Sequence, residues 1–568
     1  MLNTWKVGLV TGAVAVMTAG LAGCSSGGSP SSNSSDTNGT TTTSNTSPST
    51  SSGSGQGAAL TIVPAPYGSF QDNFNPFEAA TTANGGTSGF IYEPLFYYNI
   101  VGPEKYGLLG KDMSWSNGNK TLTVTLSDNV KWTDGQPFTS KDVVFTFDLL
   151  KKYPAIDTNG VWSELTDVKA SGDNEVVFTF KKADVPFAMY VVQTLIVPEH
   201  IWSSVPDPSK YSNDKPVGTG PYVLDSFSAQ DYKFKANDNY YLGKPSVPEL
   251  NFPAYSSNDT ADLALAQGGV AWGGAFIPNI DKVFTSKSSH NKYWFPPNND
   301  VMLVPNLKNP ILSQPVVRKA MSMAINRDDI SQKGEYGYEK VASPTAVLLP
   351  NNQDWMDPNL PQADQSFTYD PTGAEKLLQS AGYKKNSSGV YQTPDGKPLS
   401  FTLQVVAGWT DWDMDAQLLA QQLGKIGIKV QVQQQQYAGY EAALKDHKFD
   451  LAVASSGGGP NPYYIYQTVF GKTGQFNYEQ WSDPTTDAAL SDFSQTTDTT
   501  KQKQDIYKVE RIVAEQLPTI PLVYGATWYE YNDSQYTGWP DAQNPYVTPA
   551  PWAWPAPEII LMDLKPTS

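Results

Sequence analysis

The sequence predicts an α/β protein with two or three domains. Its 568 residues are 39% hydrophobic and 17% charged, which supplies enough apolar side chains for large packed cores. In the second half, residues 401–406 alternate as a strand, residues 414–425 have helical spacing, and residues 428–432 and 449–454 are further strands. A strand, a helix and a second strand in succession form a right-handed crossover. Ligands bind in the crevices at the carboxyl ends of such parallel strands.

The first half also mixes strands with a helix. Residues 60–63, 122–126 and 176–180 are predicted strands because their apolar side chains alternate or run together. Ser140 is a plausible N-cap for a helix whose inward face consists of Val143, Val144, Phe147 and Leu150.

A β-hairpin is predicted within residues 215–245. Its strands are residues 222–227 and 232–236, where large apolar side chains roughly alternate. Gly218 and Gly220 precede it, and we expect them to supply backbone conformations that a residue with a Cβ would resist.

Two helices are predicted in the middle of the chain. Residues 317–330 form an amphipathic helix whose inward face consists of Ala320, Met321, Ala324 and Ile325. A second helix begins with Asp370 as its N-cap and Pro371 at its first position, and Gly382 ends it.

Charge and reactive residues argue against two broad classes of function. The net charge is −17, and the sequence has no cluster of Lys and Arg of the kind that binds nucleic acid. The three histidines form no zinc-binding motif. Asp411, Asp413 and Asp415 are spaced like the start of a calcium loop, but Ala416 occupies the glycine position, so an Asp-rich helix N-terminus explains them better. We therefore expect no metal ion, no cofactor and no catalytic residue.

The amino terminus predicts export and a lipid anchor. Lys6 precedes a short apolar run, and the sequence Leu-Ala-Gly-Cys ends at Cys24, the single cysteine. This tetrapeptide resembles a bacterial lipobox, which implies a signal peptide over residues 1–23 and lipid on the Cys24 sulfur. The alternative is a secretory signal with a cysteine nearby by chance. Residues 24–58 are rich in Ser, Thr and Gly and are predicted to be a disordered tether.

Several motifs occur in an order that resembles one protein family. They are Pro-x-Gly-Thr-Gly-Pro-Tyr before the hairpin, Trp-x-Asp-Gly-x-Pro-Phe from Trp132, Gly-x-x-x-Trp ending at Trp272, and Val-Arg-x-Ala from Val317. The set is similar to the bacterial extracellular solute-binding proteins of family 5, the oligopeptide-binding type that serves ABC importers. The resemblance covers nearly all of residues 59–568, although Ala271 stands where the family usually has an acid.

The resemblance implies a two-lobed, periplasmic-binding-protein-like fold of type II, in its large three-domain variant. The lobes would join at a hinge and close on a ligand in the cleft between them. The chain crossings are expected near Pro305 and Tyr524. The implied segments are lobe I (59–100, 216–304 and 525–568), an inserted small domain (101–215) and lobe II (305–524).

The implied function is that of a substrate-binding lipoprotein of an ABC importer. Such a protein is a monomer without catalytic activity that captures a small-molecule ligand and delivers it to the permease subunits. It would be held at the extracellular face of the cell membrane, or in the periplasm of a cell with two membranes. A secreted glycoside hydrolase and an adhesin are the alternative classes.

The ligand class depends on the loop after the strand at residues 449–454. Oligopeptide-binding relatives hold the peptide's α-ammonium there with an Asp, whereas residues 455–464 contain no acid. This loop and the motif at residues 538–546 resemble the branch that binds cello- or manno-oligosaccharides. The sequence therefore favours an oligosaccharide, with an oligopeptide as the alternative and Glu93 or Asp411 as the partner of its ammonium.

Six side chains are predicted to bind the ligand because each lies on a loop after a strand or turn. Aromatic rings would stack on sugar rings, and structural packing is the alternative for each of them. The candidates are Trp272, Trp409, Trp412, Asn461, Tyr463 and Trp481.

Overall fold

The computed structural model of the protein describes residues 57–63, 68–78 and 89–567. The predicted signal peptide, Cys24 and nearly all of the predicted tether lie outside these residues. Within them, no helix is both long enough and apolar enough to cross a membrane.

The strands of the described chain range from two to nine residues in length. In chain order they are β1 (Leu60–Thr61), β2 (Phe96–Tyr98), β3 (Lys105–Gly107), β4 (Gly110–Ser116), β5 (Thr121–Leu126), β6 (Leu165–Ala170), β7 (Glu175–Phe180), β8 (Tyr222–Phe227), β9 (Asp231–Ala236), β10 (Glu249–Pro253), β11 (Trp272–Gly273), β12 (Asn291–Tyr293), β13 (Pro297–Pro305), β14 (Lys384–Lys385), β15 (Tyr391–Gln392), β16 (Ser400–Val406), β17 (Lys429–Gln435), β18 (Leu451–Ser455), β19 (Ile520–Ala526), β20 (Glu530–Asn532), β21 (Tyr536–Thr537) and β22 (Lys565–Pro566).

The helices include several single turns. In chain order they are α1 (Ser140–Lys152), α2 (Val161–Glu164), α3 (Ala188–Val192), α4 (Glu199–Trp202), α5 (Asn258–Ala266), α6 (Ile280–Val283), α7 (Pro315–Ala324), α8 (Arg327–Asp329), α9 (Gln362–Gln365), α10 (Pro371–Ser380), α11 (Thr410–Lys425), α12 (Tyr437–Lys445), α13 (Pro462–Ile465), α14 (Pro484–Ser494), α15 (Thr499–Gln516) and α16 (Ala556–Asp563).

A five-stranded sheet organises the second half of the chain. Its order is β17-β16-β18-β13-β19, with β16 parallel to β17 and β18, and β13 antiparallel to β18 and β19. The helix α11 connects β16 to β17, so the predicted strand, helix and strand are confirmed. Buried side chains on this sheet, such as Leu403 and Leu451, belong to one large core. We call the body around this sheet lobe II.

A second body, lobe I, surrounds two smaller sheets. One has the order β1-β10-β9-β8 and the other β11-β20-β12. The predicted hairpin is confirmed, because β8 and β9 pair antiparallel from Tyr222–Ala236 to Phe227–Tyr232.

The glycines before this hairpin are needed for a reason that differs from the predicted one. Neither Gly218 nor Gly220 has a positive φ. A Cβ on Gly218 would lie 1.8 Å from the Ile91 carbonyl oxygen, and one on Gly220 would lie 2.5 Å from the Phe90 carbonyl oxygen. Close packing of the turn against the Phe90–Ile91 backbone therefore requires these glycines.

A four-stranded sheet with the order β4-β5-β7-β6 packs against α1. Its apolar side chains are continuous with the core of lobe I. The N-cap of α1 is Thr139, one residue before the predicted Ser140, since Thr139 Oγ1 accepts from the Lys141 N–H and Asp142 accepts from the Thr139 N–H. This reciprocal pair is a capping box.

The two helices in the middle of the chain were predicted with different accuracy. The helix α7 ends at Ala324, short of the predicted residue 330, and the chain continues through α8 and a π-helical turn at Ile330–Gly334. The start of α10 is confirmed, because the Asp370 carboxylate accepts from the Gly373 N–H at 2.7 Å.

Candidate ligand-binding cleft

The chain crosses between the lobes at one end of the five-stranded sheet. The strand β13 follows β12 of lobe I and pairs with β19 from Pro297–Ala526 onward, while β19 leads directly to β20 of lobe I. The crossing predicted near Tyr524 lies close to the end of β19. The crossing predicted near Pro305 lies instead at Pro297, because β13 is part of the lobe II sheet from Pro297 to Pro305.

The parallel strands of lobe II also end here. Ser455, the last residue of β18, pairs with Val301 of β13, so the loops after β16, β17 and β18 open where the chain crosses between lobes. We call this end of the sheet the cleft edge. Crevices at the carboxyl ends of parallel strands are the usual ligand sites of such sheets.

Aromatic rings from both lobes meet at the cleft edge. The ring centroid of Phe276 in lobe I lies 5.8 Å from that of Tyr336 and 6.1 Å from that of Tyr338, both in lobe II. Trp528, on the return crossing, lies 5.2 Å from Phe276. The Tyr336 residue is 47% exposed, so this cluster is open to a ligand.

Four acidic side chains of lobe II lie beside these rings: Glu335, Glu339, Asp411 and Asp415. Glu339 accepts a hydrogen bond from the Ala526 N–H at 2.8 Å. Burial raises the pKa of Glu335 to about 8 and the pKa values of Glu339 and Asp415 well above their usual range, and repulsion within the group adds to these shifts. The cluster therefore favours protonated carboxyls. No group of three His, Cys, Asp or Glu side chains in the described chain is arranged to hold a metal ion.

Asp411 differs from the other three because it is only partly buried. It lies in the first turn of α11, directly after β16. Burial raises its pKa, the N–H groups of Trp412 and Asp411 itself lower it, and no cation contributes. Asp411 is therefore a partly buried carboxyl group at the cleft edge, and no basic side chain in the described chain stabilises its charge.

Glu93, the other acid predicted to hold the peptide's ammonium, is enclosed within lobe I. It is fully buried in lobe I, and its carboxylate accepts hydrogen bonds from the hydroxyls of Tyr240 at 2.8 Å and Tyr241 at 2.9 Å. Glu558 shares the Tyr240 hydroxyl. These contacts make Glu93 part of the lobe I core.

Trp409 and Trp412 lie together at the start of α11. The Trp409 residue is 42% exposed, and its ring lies 5.8 Å from the Tyr437 ring. Trp412 packs edge-on at 4.9 Å and belongs to the core of lobe II. Of the two, only Trp409 presents a large open surface to a ligand.

Asn461 and Tyr463 lie in the loop after β18. Asn461 caps α13, because its side-chain oxygen accepts from the Tyr463 N–H at 3.0 Å. The Tyr463 ring stacks on Phe493 at 4.5 Å and lines a cavity of about 220 Å³ with Asp184 and Tyr190. The structure therefore places Tyr463 between lobe II and the segment that precedes α3.

The structure places neither Trp272 nor Trp481, both predicted to bind the ligand, at the cleft edge. Trp272 is fully buried in lobe I, its Nε1–H donates to the Pro549 carbonyl oxygen at 3.0 Å, and its ring packs on Trp539. Trp481 lines a cavity with Lys308, beyond the opposite end of β13.

Phe276, Trp528 and Tyr336 were not predicted. Phe276 and Trp528 follow β11 and β19, so the rule applied to the other rings would have identified them. Tyr336 has a φ of 53° and follows a π-helical turn, where no periodic pattern signals its position.

A family model matches residues 105–477, which is more than half of the chain. The model describes the bacterial extracellular solute-binding proteins, family 5. The protein belongs to this family. It is thus a substrate-binding protein of the kind that serves ABC importers.

Two relatives illustrate the range of similarity among curated proteins. The oligopeptide-binding protein AppA of Bacillus subtilis is 26% identical over 433 residues, which are 73% of this chain and 77% of AppA. A putative ABC transporter peptide-binding protein of Brucella ovis is 30% identical over 334 residues, 56% of this chain and 59% of the relative.

Solved structures confirm the two-lobed, periplasmic-binding-protein-like fold. A periplasmic oligopeptide-binding protein of an ABC transporter from Thermotoga maritima matches with a TM-score of 0.82 at 29% identity, over 90% of this chain and 99% of that one. The same protein bound to mannohexaose matches with a TM-score of 0.74, over 90% and 98% of the two chains. AppA from Bacillus subtilis with a nonapeptide has a TM-score of 0.68 at 22% identity, over 90% of this chain and all of AppA.

Proposed function

We propose that this protein captures oligopeptides outside the cell membrane and delivers them to the permease of an ABC importer. A peptide enters at the cleft edge, the lobes close on it, and no covalent bond changes. The sequence alone favoured an oligosaccharide. The names of the relatives favour the oligopeptide alternative, since AppA and the Brucella protein are both described as peptide-binding.

The observation that carries the proposal is the position of Asp411. An α-ammonium that leaves water for a cleft needs an anion within reach, or its desolvation opposes binding. The loop at residues 455–464 contains no acid. Asp411 lies at the cleft edge, partly buried and without a cation, so it is suited to hold the ammonium in place of an acid in that loop.

The neighbouring acids support this assignment. Glu335 and Asp415 are fully buried and share a side-chain hydrogen bond, which requires a proton on one of the two carboxyls. A cation at Asp411 would lower the energy of any negative charge in this group. Binding of a free-amine peptide would therefore favour proton release from the cluster.

The rings at the cleft edge would contact the peptide's side chains. Trp409, Tyr336 and Trp528 offer exposed or partly exposed aromatic surface, and apolar contact with it does not require one particular peptide side chain. Contacts of this kind tolerate variation in peptide sequence.

An oligosaccharide is the second candidate ligand. The mannohexaose complex of the Thermotoga protein shows that a relative binds a sugar chain. A sugar ring stacked on Trp409 would remove on the order of 100 Å² from water, which contributes roughly 2 kcal/mol.

The experiment is a melting-temperature screen of the purified protein. It compares mixed di- to hexapeptides with β-linked di- to hexasaccharides. A ligand at a hundred times its dissociation constant stabilises the fold by about 2.7 kcal/mol, which raises the melting temperature by an easily measured amount. We expect peptides to raise the melting temperature, sugars to leave it unchanged, and the peptides to be recovered intact. Shifts with sugars alone would favour the second candidate.

A further inference from the structure

A polar cavity opens at the end of lobe II that lies opposite the cleft edge. Its volume is about 510 Å³. Pro305 at the end of β13 pairs with Leu451 at the start of β18, and the residues just beyond them, Lys308 and His447, line the cavity. We call it the distal cavity.

The lining of the distal cavity is basic. It contains Lys308, Lys445, Lys472 and His447 and no Asp or Glu, in a chain with 56 acidic and 39 basic residues. Lys445 pairs with Glu441 at 2.8 Å, whereas Lys308 and Lys472 have no ion pair within the described residues. Like charges held around one space repel each other, and an anion bound between them would relieve that repulsion.

Asp487 and Glu479 lie close to the lining without being part of it. Asp487 already accepts a hydrogen bond from the Lys472 backbone N–H at 2.9 Å and is not part of the lining. Glu479 is fully buried, and burial raises its pKa well above the usual range, so its neutral form is favoured.

Side-chain amides hold the walls of the cavity in place. Asn306 donates to the carbonyl oxygens of His447 and Phe449, both at 3.0 Å, and accepts from Gln480 at 3.3 Å. His447 Nδ1 lies 3.0 Å from the Tyr478 carbonyl oxygen. These contacts join the segments before β18 and after the π-helical turn at Tyr466–Phe470 into one wall.

A second amide fixes Trp481. Asn477 donates to the Trp481 carbonyl oxygen at 2.8 Å and accepts from the Trp481 N–H at 2.7 Å. The indole Nε1–H of Trp481 is shielded from solvent and has no hydrogen-bond partner in the described chain.

We propose that the distal cavity binds a small organic phosphate. Lys308 and Lys472 neutralise the phosphate, and the amides of Gln475 and Gln480 and the Trp481 ring contact its polar organic part. The site is separate from the transport cleft, and it does not depend on which ligand the cleft holds.

The test is calorimetric titration of the purified protein with glucose 6-phosphate, inorganic phosphate, citrate and glucose. We expect glucose 6-phosphate to bind more tightly than inorganic phosphate, with an affinity that falls as salt is added. Glucose should not bind this site. No binding of glucose 6-phosphate at millimolar concentration, or tighter binding of citrate, would overturn the proposal.

Variants assign the binding to this cavity. The double substitution Lys308→Gln with Lys472→Gln should weaken glucose 6-phosphate binding on the order of 100-fold, because two charge-assisted contacts are lost. The control Lys397→Gln with Lys501→Gln removes the same charge from two exposed sites and should leave the affinity unchanged. Trp481→Ala removes the ring that contacts the organic part of the ligand, so it should weaken binding as well. Equal losses in the control, or none in either cavity variant, would contradict the assignment.

Discussion

Tyr338 of lobe II joins Ile280 of lobe I through its hydroxyl group. The Tyr338 Oη accepts from the Ile280 N–H at 2.9 Å and donates to the Ile277 carbonyl oxygen at 3.2 Å. The contact lies beside the aromatic cluster at the cleft edge, where Phe295 packs on the same ring at 5.4 Å. It therefore couples the lobes close to the crossings about which they would move.

Tyr338→Phe should lower the free energy of unfolding by about 1 kcal/mol, because two backbone groups lose their partner. Urea unfolding measures the change. The control is Tyr336→Phe, whose hydroxyl makes no hydrogen bond within the described residues and whose loss should change stability by less than about 0.5 kcal/mol. Equal losses in both variants would show that the hydroxyl of Tyr338 does not link the lobes.

Asp300 should make stability depend on pH. It is fully buried in β13, and burial raises its pKa from 3.8 to about 8. Between these values the unfolded chain ionises Asp300 while the folded chain keeps the proton, so stability falls as the pH rises toward 8. Asp300→Asn should flatten this slope in urea unfolding, whereas Asp128→Asn at an exposed site should not. An unchanged slope in Asp300→Asn would mean that Asp300 is ionised in the fold.

Trp409→Ala should weaken peptide binding on the order of tenfold, because the peptide loses apolar contact at the cleft edge. Titration calorimetry measures the affinity. Trp481→Ala is the matched control, since Trp481 lies at the opposite end of lobe II and should not affect peptide binding. If the two substitutions weakened binding equally, the cleft would not lie at the edge described above.

Cys24→Ala should release the protein from the membrane. The lipobox-like Leu-Ala-Gly-Cys sequence and the Ser-rich and Thr-rich tether motivate this prediction. Cell fractionation followed by detection of the protein measures it. Membrane association that survives the substitution would mean that another segment anchors the chain.

The elements that local patterns define were predicted well. The strands β16 and β17, the helix α11 and the hairpin of β8 and β9 each bury a face whose spacing is visible in the sequence. The start of β13 was missed because residues 297–300 read Pro-Asn-Asn-Asp, which has no strand pattern. Pairing with β19, more than two hundred residues away, makes this segment a strand and moves the crossing to Pro297.

The exposure of a predicted ring could not be derived from the sequence, because burial of a ring depends on distant parts of the chain. Trp272 is covered by the segment at Pro549, 277 residues later, and no local pattern encodes that contact. Trp409 remains 42% exposed although Trp412 and Tyr437 pack beside it. Asp411 was identified among the acids from the sequence, but only the lobe II sheet places it at the crossing.

Titration of one peptide in two forms tests the central claim most directly. The account predicts that a free-amine peptide binds, that its N-acetylated form binds at least tenfold more weakly, and that Asp411→Asn removes this difference. Asp492→Asn, at an exposed site on α14, should preserve it. Equal affinity of the wild-type protein for both forms, or binding of oligosaccharides but neither peptide, would contradict the account.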